Sequence, residues 1–188
     1  MCLVAVSSSL LFLKKFIYNP GQIGSVFPSS MLLAKAMTDP IPWEQVQAVA
    51  ELGSGTGAIT RLIESNLCQP ADVFLFEKDD VMRANLQRQY AHFKCCSNAS
   101  QLLNVIQQNG IKQLDCIISG LPFFNFPKQQ RDVLMDQIVR SLKPGGYFVA
   151  FQYSLQMKKQ LNDMLELESI KFVPLNIPPA FVYICRKT

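Results

Sequence analysis

The feature that most constrains the fold is a glycine-rich turn between an apolar run and an amphipathic one, residues 51–57 (ELGSGTG). Glycine allows positive φ angles and lets a ligand approach the backbone where a Cβ would block it. Residues 46–52 have the pattern of a buried strand, and residues 56–67 have that of a helix, whose first N–H groups are free. The pattern predicts a cofactor of nucleotide type, bound where the first strand of a sheet ends.

Strand-like and helix-like runs alternate along the rest of the chain. The predicted strands cover residues 46–52, 71–76, 93–96, 114–119, 147–153, 171–175 and 181–186. The predicted helices after the turn cover residues 56–67, 80–90, 100–108, 130–142 and 155–165. This alternation predicts an α/β fold with a mostly parallel, seven-stranded sheet and helices on both faces. Only residues 176–180 separate the last two strands, which predicts an antiparallel C-terminal strand.

Composition limits the class of protein. At 188 residues, with 49% hydrophobic and 17% charged residues, the chain is predicted to form one globular domain. The net charge of +4 is compatible with an anionic surface as a binding partner. It is equally compatible with a protein that binds no anionic partner. The six cysteines form no C-x-x-C pair and His92 is the only histidine, so we expect no metal and a reducing compartment. No apolar run reaches membrane-spanning length, and the N-terminus lacks the order of a signal peptide.

Polar residues at the predicted strand ends narrow the type of cofactor. A carboxylate at Glu51 suits the amino group of S-adenosylmethionine (SAM) and would repel a pyrophosphate. Glu77, at the tip of the second strand, can accept both ribose hydroxyls, and Asn98, after the third, can accept from the adenine amine. The predicted cofactor-binding residues are Glu51, Gly53, Ser54, Gly55, Gly57, Glu77, Lys78, Asn98, Ala99, Ser119 and Gly120.

Three further blocks resemble the bacterial phospholipid N-methyltransferases. They are residues 12–16 with 23–30 (FLKKF and IGSVFPSS), residues 119–127 (SGLPFFNFP) and residues 178–183 (PPAFVY). With the glycine turn, they span nearly the whole chain in the expected order. The resemblance implies a Rossmann-like class I methyltransferase fold, SAM as cofactor without a metal, and methylation of the phosphatidylethanolamine amine towards phosphatidylcholine. It also implies a cytoplasmic protein, peripherally attached to the inner face of the cytoplasmic membrane.

The acceptor side of the predicted site rests on the same blocks. Methyl transfer needs a neutral nitrogen lone pair in line with the methyl group, so positioning and desolvation supply most of the catalysis. Tyrosine hydroxyls can accept a hydrogen bond from the amine, and aromatic faces can contact the methylated amine. The predicted catalytic residues are Tyr18, Tyr153 and Ser119, and the predicted substrate-binding residues are Ser29, Leu121, Pro122, Phe123 and Tyr183. Each phenylalanine, Phe124 included, suits the core equally well, and His92 is predicted to be a surface residue.

The first 40 residues stand apart from the alternating pattern. Residues 1–40 are predicted to form amphipathic helices that cover the substrate, and residues 41–188 the SAM-binding part of a single structural domain. One predicted helix places apolar residues on one face and lysines opposite, as in a helix that lies in an anionic membrane interface. Its predicted membrane contacts are Leu10, Leu13, Lys14, Lys15, Phe16 and Ile17. The alternative is that this helix packs its apolar face on the sheet.

Two other functions compete with lipid methylation. An rRNA adenine N6-dimethyltransferase shares the fold, but its turn after the fourth strand reads Asn-Leu-Pro-Tyr, where this chain has Gly120-Leu121-Pro122-Phe123. The missing amide acceptor, and the lack of an added basic domain, argue against a nucleic-acid partner. A non-catalytic SAM-binding module that docks on a membrane is the second alternative. The sequence favours a membrane phospholipid as the partner and leaves the oligomeric state open.

Overall fold

The computed structural model describes residues 28–188, and the side chains from Met31 onwards. Several predicted residues therefore lie outside the described part of the chain. They are the predicted catalytic Tyr18, the side chain of Ser29, and the predicted membrane contacts Leu10, Leu13, Lys14, Lys15, Phe16 and Ile17. Their roles stay predictions.

A single seven-stranded sheet organises the described residues, in the order β3-β2-β1-β4-β5-β7-β6. The strands are β1 Ala48–Leu52, β2 Asp72–Phe76, β3 Lys94–Cys96, β4 Leu114–Ser119, β5 Leu142–Gln152, β6 Glu166–Val173 and β7 Ala180–Arg186. β7 runs antiparallel to β5 and β6, and the other neighbours pair in parallel. The predicted α/β fold, with its mostly parallel sheet and antiparallel C-terminal strand, is confirmed.

Six helices in residues 28–188 cover the two faces of this sheet. They are α1 Pro28–Thr38, α2 Ala58–Asn66, α3 Asp80–Gln89, α4 Leu102–Gln108, α5 Lys128–Ser141 and α6 Lys158–Met164. α1 to α3 pack on one face, where Leu33 and Leu86 are buried, and α4 to α6 pack on the other, where Leu102 and Leu161 are buried. All five residues of β1 are buried, as expected for a strand covered on both faces.

The strand order places a crevice between β1 and β4. From β1 the chain adds β2 and β3 on one side of the sheet, and then crosses to add β4 and β5 on the other. At such a reversal the connections leave in opposite directions beyond the carboxyl ends of the strands, and ligands of open α/β sheets bind there. We call the edge at which β1 to β6 end the carboxyl edge.

The sixth strand differs most from its prediction. It was expected over residues 171–175 and spans Glu166–Val173, while the preceding helix, expected over residues 155–165, is the shorter α6. β6 lies at the end of the sheet, and only Val173 among its residues is buried. Three of its first four residues (ELES) are polar and exposed, and only Leu167 packs against the core, so the sequence shows no continuous apolar run there.

The fifth strand is longer than predicted. It starts at Leu142, directly after α5, and continues through residues 143–146 (KPGG), which the sequence pattern marks as a turn. The pairing with β4 shifts register between Leu114 and Cys116, which accommodates the extra residues as an irregularity. Within residues 28–188 no helix is both long and apolar enough to cross a membrane.

Candidate active site

The carboxyl ends of three neighbouring strands bring the predicted cofactor residues together. Leu52, the last residue of β1, pairs with Phe76 at the end of β2 and with Ser119 at the end of β4. The glycine turn, Glu77 and Gly120 follow these three strand ends directly. Residues far apart in the sequence therefore meet at one place because parallel strands end at the same edge.

The glycine turn has the backbone geometry that its sequence predicts. Gly53, Gly55 and Gly57 have φ angles of 77°, 55° and 85°, a region that residues with a Cβ rarely adopt. The N–H groups of Gly53 and Ser54 both donate to the Phe76 carbonyl, at 2.8 and 3.1 Å, which fixes the turn against the end of β2. Gly57 then caps α2, whose first N–H groups face the crevice side of the turn.

The Glu77 carboxylate is held between the turn and the start of α3. One oxygen accepts a hydrogen bond from the Gly55 N–H at 2.7 Å, and the other accepts from the Asp79 N–H at 2.8 Å. Each oxygen keeps a second lone pair, so the group can still accept hydrogen bonds from two ribose hydroxyls. The sequence predicted the position of Glu77, but its bond to the glycine turn could not be read from the spacing.

Glu51 is the most unusual ionisable group of the site. Its side chain has no exposed surface, one oxygen accepts from the Thr60 hydroxyl at 2.6 Å, and Oε1 has no hydrogen-bond partner among the described residues. Burial raises the pKa of Glu51 to about 8, and the Thr60 hydrogen bond opposes that rise. The buried hydroxyl of Ser54 also lowers the pKa of Glu51, but it makes no hydrogen bond of ordinary length and angle with a described residue. An ammonium group on a ligand would satisfy these atoms, so the residues present fit the amino end of SAM.

Asn98 and its neighbours follow β3, the strand beside β2 at the same edge of the sheet. Asn98 is exposed after β3, and its side-chain oxygen accepts from the Ser100 N–H at 3.0 Å, which caps a short 3-10 turn, Ala99–Gln101. One lone pair of that oxygen remains for the adenine amine. Lys78 is exposed beside Glu77 and makes no ion pair with a described residue. The cofactor roles of Asn98, Ala99 and Lys78 stay predictions.

The turn after β4 closes the other side of the crevice. The Gly120 N–H donates to the Leu52 carbonyl at 2.8 Å, and a Cβ on Gly120 would lie 3.0 Å from the Gly53 carbonyl oxygen. The position that carries Asn in the RNA enzymes is therefore packed against the glycine turn. The hydroxyl of buried Ser119 accepts from the Leu121 N–H at 3.2 Å. Ser119 thus shapes the turn, and its catalytic role stays a prediction.

Two residues that sequence reasoning missed hold the site in place. Thr60, on the first turns of α2, is fully buried and bonds Glu51. Gln152, buried at the end of β5, donates from its amide nitrogen to the Leu121 carbonyl at 2.9 Å and so ties β5 to the turn after β4. No motif marks either residue. Both are polar residues buried near the carboxyl edge. Their burial would have pointed to them, but it becomes visible only in the folded structure.

The predicted aromatic substrate contacts divide into buried and open residues. Phe123 is 1% exposed and Tyr183 is 0% exposed, both in the core beneath α4 to α6. The Tyr183 hydroxyl donates to the Ser154 carbonyl at 2.8 Å. In this structure both rings serve the core and present no surface to a ligand, because the chain folds them inwards from the sheet edge. Phe124 is exposed instead, while Leu121 and Pro122 are half-buried beside it.

Tyr153 lies directly after β5, at the same edge as Ser119. Its ring meets that of Phe151 edge-on, with 5.4 Å between the ring centroids. Burial raises the pKa of Tyr153 to about 12, so the hydroxyl is neutral at physiological pH. It can therefore accept a hydrogen bond from an amine, but it does not act there as a phenolate base. Its catalytic role stays a prediction.

The described residues contain no cluster of three or more His, Cys, Asp or Glu side chains that could hold a metal ion. His92 is exposed, 3.2 Å from Glu64, on the connection between α3 and β3. The prediction that His92 is a surface residue is confirmed, and it lies away from the crevice.

Comparisons with known proteins agree with this geometry. Residues 49–146 match the family described as Methyltransferase domain. The ornithine lipid N-methyltransferase of Singulisphaera acidiphila is 32% identical, over 94% of this chain and 94% of that protein.

Solved structures resemble the chain over nearly its whole length. The N-methyltransferase NodS from Bradyrhizobium japonicum, solved with S-adenosylhomocysteine, has a TM-score of 0.67 and 13% identity, and the match covers 95% of this chain and 98% of NodS. The 1,6-didemethyltoxoflavin-N1-methyltransferase of Burkholderia thailandensis, also solved with S-adenosylhomocysteine, has a TM-score of 0.70, 15% identity and coverage of 98% and 88%. At these identities the likeness shows the fold.

Proposed function

Because the chain belongs to the bacterial lipid N-methyltransferases of the class I SAM-dependent family, we propose that it methylates the primary amine of a membrane-lipid head group. The lipid relative aligned over 94% of both chains supports the class of acceptor. The observation that carries the use of SAM is the buried Glu51 carboxyl, whose free oxygen lies beside the glycine turn at the end of β1. A site for a pyrophosphate would not bury an acid there.

Each described residue of the crevice has a proposed task. Glu51 binds the ammonium of SAM, Glu77 binds its ribose hydroxyls, and Asn98 binds its adenine amine. When bound, SAM supplies a methyl group that its positive sulfur has already activated. The chain's contribution is to hold an amine in line with that group and to exclude water, which is the work of a rigid turn such as residues 119–122.

Two lipids are candidates for the acceptor. Ornithine lipid comes first, because the full-length relative at 32% identity carries that name. Phosphatidylethanolamine is the second candidate, since residues 119–127 and 178–183 resemble the enzymes that methylate it. Both head groups end in a primary amine that is protonated at neutral pH and must release a proton to solvent before transfer. The neutral Tyr153 hydroxyl is the proposed acceptor of a hydrogen bond from that amine.

A competition experiment tests this function. The purified full-length chain is incubated with SAM and detergent micelles that contain ornithine lipid, phosphatidylethanolamine and phosphatidylcholine together, and the lipids are separated by mass. We expect methylated ornithine lipid as the main product and unchanged phosphatidylcholine, which has no free amine. Phosphatidylethanolamine as the main product would move the assignment to the second candidate.

Two further outcomes would contradict lipid methylation altogether. Methyl transfer to added ribosomal RNA with none to lipid would support the RNA enzyme. Binding of SAM without transfer to any lipid would support the non-catalytic module. The proposed site of action is the inner face of the cytoplasmic membrane, with residues 10–17 as the predicted interfacial helix.

A further inference from the structure

Five large apolar side chains are exposed in the half of the carboxyl edge formed by β4 to β7. They belong to the turn after β4, the segment after β5, the end of β6 and the β6–β7 loop. Apolar side chains grouped on one edge mark an interaction surface, whereas single scattered ones do not. We call this group the apolar rim; its members are Phe124, Leu155, Phe172, Leu175 and Ile177.

The β6–β7 loop holds its apolar side chains outwards by an internal tether. Asn176 is buried, its N–H donates to the Val173 carbonyl at 3.3 Å, and its side-chain amide donates to the Pro178 carbonyl at 2.7 Å. Its two neighbours, Leu175 and Ile177, are 71% and 61% exposed. The exposure of these two side chains is therefore a property of an ordered loop.

Lysines accompany the apolar rim. Lys158 and Lys159 begin α6, which follows β5 at the carboxyl edge, and Lys171 lies on β6 beside Phe172. All three are exposed, and none forms an ion pair with a described residue. Unpaired lysines next to exposed apolar side chains suit a surface that is apolar inside and anionic outside.

The two halves of the carboxyl edge differ in charge. α5 and α6 begin in the β4–β7 half and have no acidic residue in their first turns. α3 begins in the other half, and Asp79 and Asp80 stand at its start. Lys78, which is exposed, and Arg83, which pairs with Asp80, offset part of this acidity, so an anionic surface would be attracted more strongly to the half that carries the apolar rim.

We propose that the apolar rim and its three lysines dock on an anionic lipid bilayer, an inference that rests on the proposed lipid acceptor. The turn after β4 belongs both to the rim, through Phe124, and to the crevice, through Gly120, so docking brings the crevice to the head groups. α1 starts on the same side, because Met31 Sδ lies 3.5 Å from an Arg61 nitrogen on the first turns of α2. The predicted interfacial helix, residues 10–17, precedes α1 in the sequence.

Vesicle binding by the full chain tests the docking. The variant Leu175→Asp with Ile177→Asp places two carboxylates in the apolar rim, and we expect its partition coefficient to phosphatidylcholine–phosphatidylglycerol vesicles to fall at least about tenfold. The variant Lys158→Glu with Lys159→Glu should lose about as much at low salt, and less at high salt, because exposed charges are screened. The matched control is Gln45→Asp with Gln113→Asp, two exposed residues at the opposite edge of the sheet.

The result that overturns the docking is unchanged vesicle binding by Leu175→Asp with Ile177→Asp, or an equal loss in the control. Unchanged vesicle binding with a lower melting temperature would mean that residues 1–27 cover the rim. Unchanged vesicle binding with a dimer that becomes a monomer would mean that a second copy covers it. Either outcome contradicts a bilayer as the occupant.

Methylation in two lipid environments separates this inference from the proposed function. The rim variants should lose methylation of lipid in vesicles and keep methylation of the same lipid dissolved in detergent micelles. If the unaltered protein methylates no lipid in micelles, the proposed function fails. If it does, and the rim variants work equally well on vesicles, the docking surface fails alone.

Discussion

Glu51 is an acid that the fold places out of contact with water, and its Oε1 has no hydrogen-bond partner in residues 31–188. Its pKa is raised from an ordinary 4.5 to about 8 by burial. Between these two values the folded protein holds a proton that the unfolded chain has lost, so the free energy of unfolding falls as the pH rises. An ammonium group beside Glu51 favours the ionised form and opposes this loss.

The titration of Glu51 gives a prediction for thermal stability. We expect the melting temperature of the SAM-free protein to fall more steeply between about pH 5 and pH 8 than that of Glu51→Gln, which cannot lose this proton. SAM should raise the melting temperature of the unaltered protein most near pH 8. Scanning calorimetry provides the measurement, and Glu44→Gln, an exposed acid, should keep the unaltered profile. If the melting temperatures of the unaltered protein and of Glu51→Gln change with pH in parallel, titration of the Glu51 carboxyl is not the cause of the pH dependence.

Thr60 controls the same carboxyl group from α2. Thr60→Val keeps the volume of the side chain but removes the hydrogen bond that the Glu51 carboxyl accepts from the Thr60 hydroxyl at 2.6 Å. The loss of a hydrogen bond to a charged group costs about 1–3 kcal/mol, so we expect the SAM dissociation constant to rise about tenfold. Titration calorimetry measures it, and Thr60→Ser should restore most of the affinity. An unchanged dissociation constant in Thr60→Val would show that Thr60 does not position Glu51.

At the scale of elements, the ends of β1 and β4 approach too closely for side chains. Gly53 has a positive φ, and a Cβ there would lie 2.9 Å from the Leu121 side chain. Gly120 faces the Gly53 carbonyl from the other side. The two turns therefore form one unit, and we expect a change in the turn after β4 to move the glycine turn of the proposed cofactor site.

The variant Gly120→Ala tests this unit. The new methyl group would push on the Gly53 carbonyl at 3.0 Å, so we expect SAM affinity to fall about tenfold, together with a lower melting temperature. Gly110→Ala is the control: Gly110 also has a positive φ, 79°, but open space around it. The methyl group at a positive φ should lower the free energy of unfolding by about 1 kcal/mol. The melting temperature should therefore fall, while SAM affinity stays unchanged. Equal SAM affinities in all three proteins would contradict the coupling.

The sequence predicted elements best where a strand is buried on both faces. β4 was predicted with its observed bounds, and β1 and β2 within two residues, because parallel strands inside a sheet are continuous apolar runs. β6 was misplaced because it lies at the end of the sheet with most of its residues exposed, so it has no such run. The site residues follow the same rule. Glu51 and Glu77 were predicted because they lie at the ends of predicted strands, whereas no sequence pattern indicated Thr60 or Gln152. Their roles depend on tertiary contacts across 9 and 31 residues.

At the scale of the molecule, one edge of the sheet carries the proposed sites of cofactor binding, acceptor binding and membrane contact. The proposed cofactor and membrane sites lie in halves of that edge that differ in charge. Acidic residues lie near the cofactor crevice, and lysines lie near the apolar rim. A lipid acceptor would then reach the crevice from the rim side without leaving the bilayer. This arrangement would allow SAM bound at the proposed Glu51 site to react with a lipid that stays in the membrane.

The position of the transferred methyl group tests the central claim most directly. The full chain is incubated with SAM that carries a deuterated methyl group and with micelles of ornithine lipid, and the product is fragmented in a mass spectrometer. The account predicts the deuterated methyl on the head-group nitrogen, and no product from Glu51→Gln at SAM concentrations that saturate the unaltered protein. Label on any other atom of the lipid, or no labelled lipid from a protein that binds SAM, would contradict it.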